Sequence, residues 1–126
     1  MDLLDKVVVL EDDASKFGFR WETSDQIMQQ IQSECAEIKE HLDDGLSQSN
    51  QTALQEEIGD LLHATFSLCV FCNLSPRGTL EQTLTKFERR LNAVKEITQE
   101  RGLNSLNGFP FDELMAIWDQ AKVLVG

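Results

Sequence analysis

Apolar residues recur at helical spacing along almost the whole chain, and this restricts the fold more than any other feature. Leu3, Val7, Leu10, Ala14 and Phe17 make one stripe, ended by Gly18. Thr23 with Gln26 forms a capping-box signal for a second helix, which carries Ile27, Ile31, Cys35, Ile38 and Leu42 and runs to Gly45. After the polar loop "DGLSQSNQ", a third helix is expected from near Asn50, with Leu54, Ile58, Leu61, Leu62, Thr65, Leu68, Cys69 and Cys72 on one side. "NLSPRG" breaks it. Thr79 with Gln82 signals a cap for a fourth helix, with Leu80, Leu84, Phe87, Leu91 and Val94 inward and Arg101-Gly102 at its end. Following "GLNSLNGFPF", Asp112 is the expected cap of a last short helix bearing Leu114, Trp118, Ala121 and Val125. The only β-branched run, "KVVVL" at 6 to 10, falls within the first helical stripe. The expected fold is all-α: one domain over residues 1–126, a four-helix bundle with an additional short C-terminal helix.

The third helix also predicts assembly. Phe66, Val70 and Phe71 lie away from its main stripe, so its second half is apolar nearly all round, as in helices buried on every side. One small bundle cannot easily enclose such a helix, and a homo-oligomer, dimer or tetramer, is expected with it near the interface.

Against 22 acidic residues stand 11 basic ones, a net charge of −11. That surface repels nucleic acid and anionic lipid, so neither is an expected partner. "MDLLDKVVVLEDD" is acidic where a secretory signal is basic. The most apolar stretch, "LLHATFSLCVFCNL", is shorter than the ~20 residues of a membrane span. Three cysteines without framework spacing suit a reducing compartment. A cytoplasmic location is expected.

The acids carry the chemical signal. At 100° per residue, with Ile27 as zero, Glu34 falls at about −20° and Glu37 at about −80°, on one flank of the second helix's stripe. With Leu54 as zero, Glu57 falls at about −60° and Asp60 at about −120°, on the corresponding flank of the third. Two antiparallel helices packed through these stripes bring the flanks together. Four shielded carboxylates either raise one another's pKa or recruit a cation, and hard oxygen donors suit Mg²⁺, with Mn²⁺ as substitute. Taken singly, each pair is also an ordinary solvated helix face.

Lys86 and Arg90, one turn apart on the fourth helix, read either as a cationic flank facing the acids or as part of the mixed-charge surface segment "KFERR". Trp118 and Lys122 read as an aromatic face beside a cation, or as a core anchor and a surface charge. Cys69 and Cys72 lie on the apolar stripe in mid-helix and read as core packing, since zinc would need two further ligands. Asp60-x-x-His63 lacks the paired Glu-x-x-His motifs of di-iron bundles.

Glu34-x-x-Glu37, Glu57-x-x-Asp60 within "EEIGDLL", "KFERR" and "WDQAK", preceded by "FGFRW", closely resemble the MazG-type nucleoside triphosphate pyrophosphohydrolases over roughly residues 10 to 125. The resemblance implies an oligomeric all-α enzyme hydrolysing a (d)NTP to (d)NMP and pyrophosphate, as in nucleotide-pool house-cleaning. It assigns Mg²⁺ to Glu34, Glu37, Glu57 and Asp60, phosphate contact to Lys86 and Arg90, and the nucleotide's border to Trp118 and Lys122. Glu37 is the expected catalytic base, with Glu34 next. Leu84 stands where the family usually has asparagine, and Ala53 where a lysine is frequent. Their loss keeps open a second expectation, a catalytically weakened helical oligomer that binds nucleotides or a protein partner.

Overall fold

The computed structural model describes residues 1–45 and 47–126; Leu46, within the expected "DGLSQSNQ" loop, lies outside them. Among the described residues the chain is all-helical: α1 (Leu3–Phe17), α2 (Ser24–Asp43), α3 (Gln48–Phe71), α4 (Pro76–Glu100) and α5 (Phe111–Val125). The "KVVVL" run is helical within α1, as its place in the first helical stripe predicts and despite the modest β preference of its valines.

Local chemistry accounts for the boundaries. Asp2 caps α1, its Oδ1 accepting the Leu4 amide at 2.8 Å. That hydrogen bond, together with Arg77, holds the Asp2 carboxyl below the usual range. α1 closes on Gly18, whose φ of 100° a side chain would strain. The capping box of α2 is complete: Thr23 accepts from the Gln26 amide and Gln26 accepts from Thr23. Such a cap contributes about 1 kcal/mol.

Three boundaries differ from the expectation. Ser47, not a residue near Asn50, caps α3. α4 starts at Pro76, with Ser75 Oγ accepting from the Gly78 amide at 3.1 Å, and Thr79 lies inside the helix. Proline at the first helical position has no amide to leave unsatisfied, which makes it a stronger start signal than the downstream threonine. Pro110 occupies the cap position of α5, and Asp112 sits in the first turn, where its charge complements the helix dipole.

The chain divides into two compact units, Met1–Thr79 and Leu80–Gly126. In the first, α3 packs against both α2 and α1. In the second, Ala93 and Ile97 of α4 pack with Ile117 and Ala121 of α5, joined by Val94, Leu106 and Val125. Full burial of a side chain such as Ile117 contributes roughly 1.5–3 kcal/mol. The α5 stripe falls where the periodicity puts it. On α4, Leu80, Leu84 and Phe87 are exposed, and the buried face begins only at Leu91 and Ala93.

The inward faces of α2 and α3 differ most from the expectation. On α2 the inward line runs Ile27, Ile31, Glu34, Ile38 and His41, with Ile27 and Glu34 buried and the others half-buried, leaving Cys35 and Leu42 exposed. On α3 the inward line runs Leu54, Glu57, Leu61, Ala64 and Ser67, with Ala64 and Ser67 buried and the others half-buried, leaving Ile58, Leu62 and Thr65 exposed. Each helix is rotated toward its acids. Cys69 is half-buried, while Cys72 is exposed at the C-cap of α3, so it does not pack in mid-helix as expected. No single helix among the described residues is long and apolar enough to cross a membrane.

Candidate metal centre and its cleft

The α2–α3 hairpin is pinned at its closed end. Asn50 Oδ1 accepts from His41 Nδ1 at 2.9 Å, and its Nδ2 donates to the His41 carbonyl at 2.6 Å and to that of Gly45. Glu34 lies two turns before His41, and Glu57 two turns after Asn50. The clasp therefore sets the register that brings these two acids level. Sequence reasoning missed it, although an asparagine just inside a helix start, facing a histidine near the previous helix end, was available as a signal.

Glu34, Glu37 and Glu57 converge, each offering a carboxylate oxygen within 4.8 Å of the others. Glu34 is buried, at 6% exposure. Its Oε1 accepts from Gln30 Nε2 at 2.7 Å, while its Oε2 is buried without a hydrogen-bond partner. A buried, unpartnered carboxylate oxygen costs several kcal/mol unless a cation compensates it. The Glu57 carboxyl is pushed up to about 7, first by the hydrogen bond it can share with Glu37, then by Glu34, by partial burial and by their charges. Glu57 is thus driven toward its protonated form by the two neighbouring carboxylates, a repulsion that a divalent cation would relieve. The donor set is all hard oxygen, and it fits Mg²⁺ or Mn²⁺.

Asp60, exposed and one turn beyond Glu57, stands outside this tight group. It lines, with Glu34 and Gln30, a cleft of about 830 Å³ within the first unit. The other walls come from α1 (Leu10, Glu11, Ala14), from the segment bearing Phe19, Arg20 and Trp21, and from His63, Ser67 and Phe71 of α3. That volume is typical of small-molecule sites.

In the second unit, the Arg90 guanidinium lies 5.8 Å from the centre of the Trp118 ring, and Phe87 meets the same ring at 5.8 Å with a tilt of 46°. Arg90 Nε also donates to the Gly126 carbonyl at 3.2 Å. Arg89, which the sequence offers only as one charge in a mixed run, donates to the carbonyls of Val125 and Gly126, both at 3.0 Å. Lys86 is exposed and forms no ion pair among the described residues, and Lys122 pairs with Asp119 at 3.5 Å. The structure thus joins Arg90 to Trp118 and leaves Lys86 and Lys122 on the surface.

No family model matches the chain. It is 31% identical over 113 residues to the nucleoside triphosphate pyrophosphohydrolase/pyrophosphatase MazG of Thermotoga maritima, covering 90% of this chain and 41% of that protein. The likeness is MazG-type. The nucleoside triphosphate pyrophosphohydrolase of Escherichia coli K12 is 30% identical over 105 residues, 83% of this chain and 39% of the relative, and that of strain O157:H7 gives the same figures. The chain spans about two-fifths of the length of these relatives.

Proposed function

We propose that the chain is a Mg²⁺-dependent nucleoside triphosphate pyrophosphohydrolase that opens the α–β anhydride of a (d)NTP, releasing (d)NMP and pyrophosphate. The observation that carries this reading is the convergence of Glu34, Glu37 and Glu57 around a buried carboxylate oxygen with no partner. The names of the similar proteins support it. Glu34, Glu37 and Glu57 would hold the cation, with Asp60 joining them from the cleft wall. When bound, Mg²⁺ supplies the positive charge that offsets about four negative charges on the triphosphate and acidifies the attacking water. Glu37, the exposed member of the trio, accepts the proton of that water in our reading; Glu34, buried and bonded to Gln30, serves better as a ligand.

Within the second unit, Lys86 and Arg90 are assigned to phosphate contact and Trp118 and Lys122 to the nucleotide's border. The Arg90 guanidinium, 5.8 Å from the centre of the Trp118 ring, places a planar cation beside an aromatic face, a pairing suited to a phosphate next to a base. We further infer a cytoplasmic homo-oligomer with a house-cleaning role. Met28 and Leu42 on α2 and Ile58 and Leu62 on α3 are exposed apolar residues that self-association would cover.

The test is pyrophosphate release from a panel of nucleoside triphosphates with and without Mg²⁺, comparing the wild type with Glu37→Gln and Asp60→Asn. Release that requires Mg²⁺ and is lost in Glu37→Gln supports the reading. Binding without release indicates the weakened binding module, which Leu84 and Ala53 favour.

A further inference from the structure

The cleft beside the acids holds one group that the hydrolytic chemistry does not use. Glu11 projects from α1 with its side chain 18% exposed. Its Oε1 is held twice from α3, by the buried Ser67 hydroxyl at 2.5 Å and by His63 Nε2 at 2.8 Å. Among the described residues its Oε2 has no hydrogen-bond partner, and Glu11, His63 and Ser67 all line the cleft. One oxygen is locked and the other is free to accept. A carboxylate fixed in this way is an oriented acceptor, and an ionised carboxylate cannot donate.

Position along α3 suggests what it would accept from. Ser67 lies seven residues beyond Asp60, about 10 Å along the helix, comparable to the length of a nucleoside. The aromatic rings of Trp21 and Phe71 line the same cleft, and such rings suit a flat heterocycle. Resting on the function proposed above, we propose that Glu11 selects the base: it favours nucleotides whose base presents an exocyclic amino group, such as cytosine or adenine, over those presenting a carbonyl at the same position, such as uracil or hypoxanthine. An amino group donates to the free Glu11 oxygen. A carbonyl there sets two acceptors against each other and leaves both unpaired.

Binding, rather than turnover, tests this most directly. Calorimetry of the full chain with Mg²⁺ would compare the α,β-methylene analogues of CTP with UTP and of ATP with ITP, two pairs in which the amino group becomes a carbonyl and the adjacent ring nitrogen gains a proton. Pyrophosphate release from the parent triphosphates would be measured alongside. In at least one pair the amino member is expected to bind about 10- to 100-fold more tightly, the range of a hydrogen bond to a charged group. Glu11→Gln, whose amide can also donate, is expected to bring that ratio close to one. If Glu11→Gln fails to fold, Glu11→Asp keeps the charge, withdraws the acceptor by one methylene and should reduce the same ratio. Equal affinities in both pairs, or a preference unchanged by the substitution, overturn the proposal even where pyrophosphate is released. A preference without release supports it and counts against the hydrolase reading alone, while failure of every analogue to bind overturns both.

Discussion

The two units treat their buried and half-buried charges in opposite ways. In the α4–α5 unit, Arg89 and Arg90 are matched to the last carbonyls of the chain, and the Trp118 ring takes the face of Arg90. In the α2–α3 hairpin, Glu34 is buried with one oxygen unmatched, and Glu57 is driven toward protonation by its neighbours. The first arrangement satisfies the carbonyls at the end of α5, which have no intrahelical partner. The second is stable only when something positive arrives. Arg89, matched to two carbonyls of its own unit, speaks for structure, and Glu34, left with one oxygen unmatched, speaks for a ligand.

The largest expected effect is on Glu34. Glu34→Gln should lower Mg²⁺-dependent pyrophosphate release by about 100- to 1,000-fold. The same variant should raise the stability of the metal-free protein by about 1–2 kcal/mol, since it removes an unpartnered buried charge. Denaturant melts without Mg²⁺, set beside activity assays, would show the opposed signs. A variant that loses both stability and activity would make Glu34 an ordinary structural residue and erase the contrast.

Proton and cation should compete for Glu57. The Glu57 carboxyl is raised to about 7 from an ordinary value of 4.5, so between these pH values the folded chain binds more protons than the unfolded one. Stability from this group is fully present below about 4.5 and is lost as pH rises through about 7. Saturating Mg²⁺ should flatten that decline. Below pH 7, Mg²⁺ affinity should rise by up to about tenfold per pH unit, which calorimetry at several pH values can follow.

Smaller effects sharpen the same comparison. Asn50→Ala unpins the hairpin and should cost about 1–3 kcal/mol, with Mg²⁺ binding weakened about tenfold because the acids lose their register. Arg89→Ala should cost about 1 kcal/mol and leave Mg²⁺ affinity unchanged, as read by melting and calorimetry on one sample. If Arg89→Ala weakened Mg²⁺ binding as much as Asn50→Ala, the contrast between the matched Arg89 and the unmatched acids would fail.

Much of the fold was legible because helices are local objects. The helical extent of α1 with Gly18 at its end, the Thr23–Gln26 box and the Leu114–Val125 stripe depend only on residues within a few turns of one another. The inward stripe expected on α1 did not hold: Leu3, Leu10 and Phe17 are exposed, and of its members only Val7 and Ala14 are half-buried. The starts of α4 and α5 were misplaced because two plausible caps lay close together and the prolines at 76 and 110 prevailed. The inward faces of α2 and α3 were misjudged for a different reason. Where apolar residues surround a helix, periodicity does not say which side meets a neighbour. Cys35, Ile58 and Leu62 were as good candidates for burial as Ile38 and Ala64.

The acid pairs show where this division falls. From spacing alone, Glu34 with Glu37 and Glu57 with Asp60 occupy helix flanks, and two such flanks on neighbouring helices suggest a cation. Their convergence, the burial of Glu34 and the pairing of Glu11 with Ser67 and His63 came from the tertiary structure. Helix identity and caps arise from contacts a few residues apart, which one segment contains completely. Convergence needs the rotation and register of separate helices, here set by packing and by the Asn50 clasp, and no single segment contains that information.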